Sequence, residues 1–75
     1  MITCNIEQTL AELGSFGNSS KRLTLTSWNG NPAKLDLRTW REESGELKPG
    51  KGITLTEEEG KALMEALTAH FGALG

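Results

Sequence analysis

The sequence has few of the residues that hold small folds together covalently or through metals. Its 75 residues include one Cys, one His, two Pro and no Tyr. One Cys cannot form a disulfide within the chain, and one Cys with one His supplies too few ligands for a structural zinc site. No apolar run approaches membrane-spanning length, and the start shows no secretory signal. We therefore expect a cytoplasmic protein without a metal or another cofactor.

The length of the chain indicates one domain, residues 1–75, with a small core. A domain of this size buries only about 60% of its unfolded surface and is marginally stable alone. Because disulfides and metal sites are excluded, a core shared between two copies is the common remaining solution. The sequence therefore predicts a homodimer.

The net charge of −2 conceals an uneven distribution. Residues 21–52 carry seven Lys or Arg against four Asp or Glu, whereas the segments on either side are acidic. A basic region on an otherwise acidic particle favours binding of an anionic polymer to one face.

A β-hairpin is predicted over residues 23–40, with its turn at Asn-Gly-Asn-Pro. Successive strand side chains alternate between faces, so the four leucines of the two arms share one face. Both Trp fall on the other face, with basic residues and Asp36, which we expect to pair with Arg38 or Lys34. Indoles among cations are typical of a sheet that binds single-stranded nucleic acid. The binding residues of this face are Arg22, Trp28, Lys34, Arg38 and Trp40.

A helix is predicted after Thr56, because Thr56 and Glu59 form a capping box. Gly60 lies in its first turns, where Gly costs about 1 kcal/mol relative to Ala. We expect this Gly to allow close approach to the sheet or to a partner helix. The apolar stripe of the helix comprises Leu63, Leu67, Phe71 or His70, and Leu74, with Met64 beside it.

The start of the chain fits two patterns. Ile6, Leu10 and Leu13 have helical spacing, whereas Ile2, Cys4 and Ile6 alternate as in a strand. Composition favours a loop or turn at 14–20, a loop at 41–45, and an extended segment at 46–55 that is bent, bulged or at an edge.

Residues 45–52 approximate a phosphate-binding P-loop. They lack the Ser or Thr after Lys51, contain Pro49 and follow no apolar strand. No other residues suggest catalysis, so we do not expect an enzyme.

Three stretches, residues 27–30, 34–40 and 45–59, resemble in order and spacing the bacterial YdbC-like branch of the positive cofactor four family of transcriptional coactivators. The most specific stretch is Lys-Pro-Gly-Lys-Gly-Ile-Thr-Leu before the capped helix. By this resemblance Trp28 corresponds to the hairpin aromatic of the family, and Trp40 lies near its other stacking aromatic. Basic positions of the third and fourth strands correspond to Arg38, Lys48 and Lys51.

The resemblance implies the α+β class: a curved four-stranded antiparallel sheet followed by one C-terminal helix (β-β-β-β-α), in a homodimer. It implies strands at about 3–13, 21–28, 34–41 and 46–55 and a helix at about 57–71. It also implies binding of single-stranded DNA with low sequence specificity in transcription, replication or repair. The location would be the nucleoid, with transcription machinery as a further partner.

Two other functions fit the same residues. Base stacking does not detect the 2′-hydroxyl, so the partner could be RNA and the protein an RNA chaperone. Alternatively, Trp28 and Trp40 could dock a partner protein. Competition between matched DNA and RNA oligonucleotides distinguishes DNA binding from RNA binding. A double Trp-to-Ala variant that loses a protein partner but keeps its oligonucleotide affinity would indicate protein docking.

Overall fold

Four strands form one antiparallel sheet in chain order, and a helix follows them, in a computed structural model that describes residues 3–72. The elements are β1 (Cys4–Phe16), β2 (Ser19–Trp28), β3 (Lys34–Glu43), β4 (Glu46–Leu55) and α1 (Glu57–Gly72). The α+β class and the β-β-β-β-α order are therefore confirmed. Ile2 and Leu74, which contributed to two sequence patterns, lie outside the described residues.

The turns between strands are tighter than the composition indicated. The turn expected within 14–20 is present but occupies only the two residues between Phe16 and Ser19. The loop expected at 41–45 is wrong, because only Ser44 and Gly45 lie between the two strands. Positive φ angles make such short turns possible: 60° at Gly17, 52° at Ser44 and 79° at Gly45. The turn predicted between β2 and β3 is confirmed, with φ of 52° and 77° at its Asn-Gly pair.

Strand β1 contains three register shifts against β2, and these explain its mixed sequence pattern. The shifts occur between Ile6 and Gln8, Thr9 and Ala11, and Glu12 and Gly14. Each shift leaves one β1 residue without an opposite partner, as in a β-bulge. The residues left without a partner, Glu7, Leu10 and Leu13, lie three residues apart, which is close to helical spacing. The strand implied by the family resemblance is therefore present, although its side chains do not alternate regularly.

The two faces of the β2–β3 hairpin carry the side chains that alternation predicted. Leu23 lies opposite Leu37, and Leu25 opposite Leu35, on one face. Strand β4 extends this aliphatic face with Ile53 and Leu55. The opposite face, which we call the tryptophan face, comprises Arg22, Thr24, Thr26, Trp28, Lys34, Asp36, Arg38 and Trp40 with Gly52 and Thr54 of β4.

The tryptophan face is the more buried of the two faces in the single chain. Thr24, Thr26 and Asp36 are 0% exposed, and Trp40 is 1% exposed. The two edge strands face each other across a cavity over this face, which residues of β1 and β4 line together with Trp28. The curled sheet therefore encloses a polar layer in which Thr24 and Thr26 share a 2.7 Å hydrogen bond.

Helix α1 begins at the predicted capping box and lies on the aliphatic face. The Glu59 amide donates to Thr56 Oγ1 at 3.1 Å, and the Thr56 amide donates to Glu59 Oε1 at 2.8 Å. A Cβ added at Gly60 would lie 2.5 Å from Leu35 Cδ1, so of the two close approaches predicted for Gly60 the structure shows the one to the sheet. None of the helical segments within residues 3–72 combines the length and apolarity that crossing a membrane requires.

The helix leaves much of the apolar surface exposed. An apolar groove of about 260 Å³ runs between α1 and the aliphatic face. Two residues that line the groove remain exposed, Met64 at 60% and Leu67 at 48%. Two others lie outside its lining, Ile53 at 55% exposed and Phe71 at 62%. No residue of α1 is buried within the single chain.

Candidate nucleic-acid interface

Trp28 occupies the centre of the candidate site, at the end of β2. Its side chain is half-buried and borders two cavities. The larger cavity, about 520 Å³, also contacts Cys4, Arg38 and Lys48. The smaller one, about 250 Å³, also contacts Lys34. An aromatic ring with basic side chains in both adjoining cavities can stack a base while phosphates are bound nearby.

Arg38 links three strands beside Trp28. Its Nε and Nη2 donate to the two Asp36 carboxylate oxygens at 2.5 and 2.9 Å, which confirms the expected pairing. Its Nη1 donates to the carbonyl of Gly50 in β4 at 3.1 Å. The guanidinium carbon lies over the Trp28 ring, 4.6 Å from the centroid, in a cation–π contact. Arg38 is therefore largely engaged within the protein.

Trp40 lies on the predicted face but is not an exposed platform. Its centroid is 6.2 Å from that of Trp28, and the two rings are inclined by 17°. Its cross-strand neighbours are Ser20 and Pro49. The expectation of two exposed indoles is wrong for Trp40, because curvature of the sheet covers the middle of this face and leaves 1% of the residue accessible. In this conformation Trp40 supports Trp28 and presents no surface to a base.

The remaining basic side chains surround this centre unequally. Arg22 lies directly opposite Arg38 and donates to Ser20 Oγ at 2.8 Å, at the end of the face distant from the hairpin turn. Lys34 and Lys48 are exposed and each lines a cavity beside Trp28. Lys51 is exposed at the irregularity of β4 and lines neither of these cavities.

Lys48 is paired with an acidic neighbour on its own strand. Its Nζ lies 2.9 Å from Glu46 Oε2. This hydrogen bond and the attraction between the two charges lower the pKa of Glu46 and raise the pKa of Lys48. Both side chains are exposed, at 51% for Lys48 and 72% for Glu46, so a phosphate can replace the carboxylate.

Comparison with known proteins identifies the family of the chain. Residues 17–66 match the family model described as Transcriptional Coactivator p15 (PC4). The chain belongs to this family. It is also 41% identical over 58 residues to an uncharacterized protein of Treponema pallidum (strain Nichols), a match that covers 76% of the chain and 66% of that relative. The chain thus spans about two thirds of the length of this curated relative.

Members of the PC4 family are nucleic-acid-binding proteins that bind single-stranded DNA and act as coactivators, and the family is not one of enzymes. The matched segment begins at the turn after β1 and ends within α1. It includes all seven residues that the sequence assigned to binding.

The structure adds residues to the site that sequence patterns did not indicate. Thr3, Cys4, Leu47 and Pro49 line the larger cavity beside Trp28. They reach it because both sheet edges curl over the tryptophan face, and no local pattern marks such an approach. The segment that resembled a P-loop forms strand β4 after a tight turn, not a loop leading into a helix. Within residues 3–72, no three His, Cys, Asp or Glu side chains form a possible metal site.

Proposed function

We propose that this protein is a homodimeric single-stranded DNA-binding protein of low sequence specificity, from the YdbC-like branch of the PC4 family. It would act at the nucleoid in transcription, replication or repair, with transcription machinery as a further partner. The observation that carries the proposal is the half-buried Trp28 ring, contacted by Arg38 and bordered by two cavities with Lys34 and Lys48.

Stacking at Trp28 would supply the part of the affinity that is insensitive to salt. A base stacked on an aromatic side chain contributes about 1–3 kcal/mol. Any base has a π-face, and this kind of contact does not discriminate strongly among bases. Low sequence specificity follows from that chemistry. Trp40 would act in support of the stacked ring.

Phosphate binding would supply the part of the affinity that depends on salt concentration. Charged groups line the two cavities at Lys34 and Lys48, and others lie outside the cavities at Lys51 and Arg22. Each phosphate neutralised on a single strand adds about −0.7 to the slope of log affinity against log salt. Arg38 contributes less to this slope, because most of its donors are already bound within the protein.

A second copy of the chain would cover the apolar groove beside α1. The exposed side chains of α1 and the aliphatic face, Ile53, Met64, Leu67 and Phe71, are the kind of surface that obligate dimers bury. We expect Leu67→Asp to shift sedimentation at micromolar concentration from dimer to monomer, and Glu65→Gln on the same helix to leave it unchanged. A monomeric wild-type protein would contradict the dimer.

The binding proposal is tested by fluorescence anisotropy with a labelled oligo-dT. We expect Trp28→Ala to weaken binding about 5- to 150-fold, the equivalent of one stacked base, with an unchanged salt slope. Lys34→Gln with Lys48→Gln should instead reduce the slope. Varying the oligonucleotide length against stoichiometry gives the site size and the number of chains bound.

Matched competitors decide between the candidate polymers. Unlabelled DNA of the same sequence should displace the probe at lower concentration than RNA does. Stronger competition by RNA would indicate the RNA-binding alternative. Absence of oligonucleotide binding at low salt would contradict the proposal and favour the protein-docking alternative.

A further inference from the structure

Asp36 is a fully buried carboxylate in the candidate interface, and nothing in the proposed binding mechanism requires its charge. We propose that Asp36 is a positioning residue: by fixing Arg38, it holds the Trp28 indole in the orientation that receives a base. This inference rests on the proposed function and assigns a role to a residue that would not touch the nucleic acid.

Both carboxylate oxygens of Asp36 are occupied. Arg38 donates to one from Nε and to the other from Nη2, at 2.5 and 2.9 Å, and Thr54 donates to the second at 3.1 Å. A two-point contact between a planar guanidinium and a carboxylate fixes the direction as well as the distance. With Asp36 0% exposed, water does not compete for these bonds. Arg38 is therefore held in one orientation.

The orientation of Arg38 determines what it presents to Trp28. Its Nη1 is bound to the carbonyl of Gly50, so three donors are in use and its side chain is 15% exposed. The group that remains is the flat face of the guanidinium, which lies over the Trp28 ring. Arg38 thus acts on Trp28 through stacking, and its orientation comes from Asp36.

A fixed indole matters because Trp28 lies at a strand end next to a turn. A side chain that is already ordered loses less conformational entropy on binding than one that must be ordered by the ligand. Without Asp36, Arg38 would be free to turn toward solvent, and Trp28 would lose the cation that contacts its ring. We therefore expect weaker base binding when the carboxylate is removed.

The substitution Asp36→Asn gives opposite results for a positioning role and a purely electrostatic role. It removes a negative charge from a surface proposed to bind phosphates, so electrostatics alone predicts tighter binding. A positioning role predicts weaker binding, about tenfold. Glu43→Gln is the matched control, because Glu43 pairs with Arg41 two residues away on the same strand, at 3.1 Å and on the exposed surface.

The experiment combines oligo-dT affinity with an NMR measurement that needs no ligand. In the wild type, the ring current of Trp28 should shift the side-chain resonances of Arg38. Asp36→Asn should move them toward their ordinary positions, and Glu43→Gln should not. Asp36→Asn binding as tightly as the wild type, or keeping the Arg38 shift, would overturn the inference.

Two further arms keep the test decisive. If Asp36→Asn does not fold, Arg38→Lys replaces it, since Lys keeps the charge but loses the two-point contact and the flat face. Arg38→Lys should then bind about tenfold more weakly, and wild-type affinity would overturn the inference. If the wild type binds no oligonucleotide, the proposed function fails, and the Arg38 resonances still report whether Asp36 sets the contact with Trp28.

Discussion

The substitution Gly52→Ala tests the close contact between β3 and β4 at Arg38, a residue of the candidate interface. Gly52 of β4 lies directly opposite Arg38 of β3. A Cβ at Gly52 would lie 1.8 Å from Arg38 Cβ, 2.5 Å from Arg38 Cα and 2.5 Å from the Leu37 carbonyl oxygen. Carbon atoms normally remain about 3.5–4.0 Å apart, and two of these three atoms belong to the backbone. The overlap therefore cannot be relieved by rotating a side chain.

The two strands must separate locally, with loss of ladder hydrogen bonds and of the Arg38 contact with Gly50. Overpacking alone costs about 1–3 kcal/mol, and each ladder hydrogen bond adds about 1 kcal/mol. We expect Gly52→Ala to lower the free energy of unfolding by at least about 3 kcal/mol, which lowers the Tm by roughly 12–24 °C for a domain of this size.

Chemical and thermal unfolding measure this effect, with all variants compared at one protein concentration because a dimer would make stability depend on it. Gly14→Ala in β1 is the matched control, since an added Cβ there meets nothing within 4 Å. We expect it to be neutral or slightly stabilising. A Gly52→Ala protein as stable as Gly14→Ala would refute the close approach of β3 and β4.

Three further predictions concern the charges of the interface and the start of the helix. Glu46→Gln should release Lys48 for phosphate, strengthen oligonucleotide binding a few-fold and steepen the salt slope by about 0.7; unchanged affinity and slope would show that Lys48 does not bind phosphate. Lys48→Gln should raise the pKa of Glu46 toward its ordinary value, measured by NMR titration. Because pairing lowers that pKa, the contribution of the pair to stability is present above about pH 4.5 and is lost as the pH falls through the lowered value. Thr56→Ala should destabilise the protein by about 1 kcal/mol, because the Glu59 amide loses its acceptor, whereas Thr56→Ser should retain stability; equal Tm values for both variants would contradict the capping role.

Much of the fold could be predicted because it depends on neighbours in sequence. The alternation of Leu23 and Leu25 with polar residues assigned both faces of the hairpin. The Thr56–Glu59 capping box locates the start of the helix, and the cost of Gly60 in a helix indicates the close packing that its contact with Leu35 shows. The alternation lies within one regular strand, the capping box spans three residues, and the cost of Gly60 is a local helix propensity.

The bulges of β1 could not be predicted by the same means. Whether Leu10 and Leu13 belong to a helix or to an irregular strand depends on their register against β2, which a single sequence does not contain. The family resemblance supplied the strand, but not the three register shifts. A bulge bends the strand that contains it, so these shifts contribute to the curvature of the sheet.

The burial of Trp40 could not be predicted for a related reason. Alternation assigns a side chain to a face of the sheet, but burial on that face depends on how strongly the sheet curls. The expectation of equal roles for Trp28 and Trp40 treated the sheet as flat. Of the two Trp side chains, only that of Trp28 remains accessible to a ligand in the structure.

Quenching of Trp28 fluorescence by oligo-dT tests the central proposal most directly. The Trp40→Phe variant leaves Trp28 as the only Trp of the chain. Within residues 3–72 the Trp40 indole nitrogen has no hydrogen-bond partner, so Phe removes no such bond. We predict saturable quenching of Trp28 by oligo-dT at low salt. Binding detected by anisotropy without any change in Trp28 fluorescence would contradict stacking at Trp28.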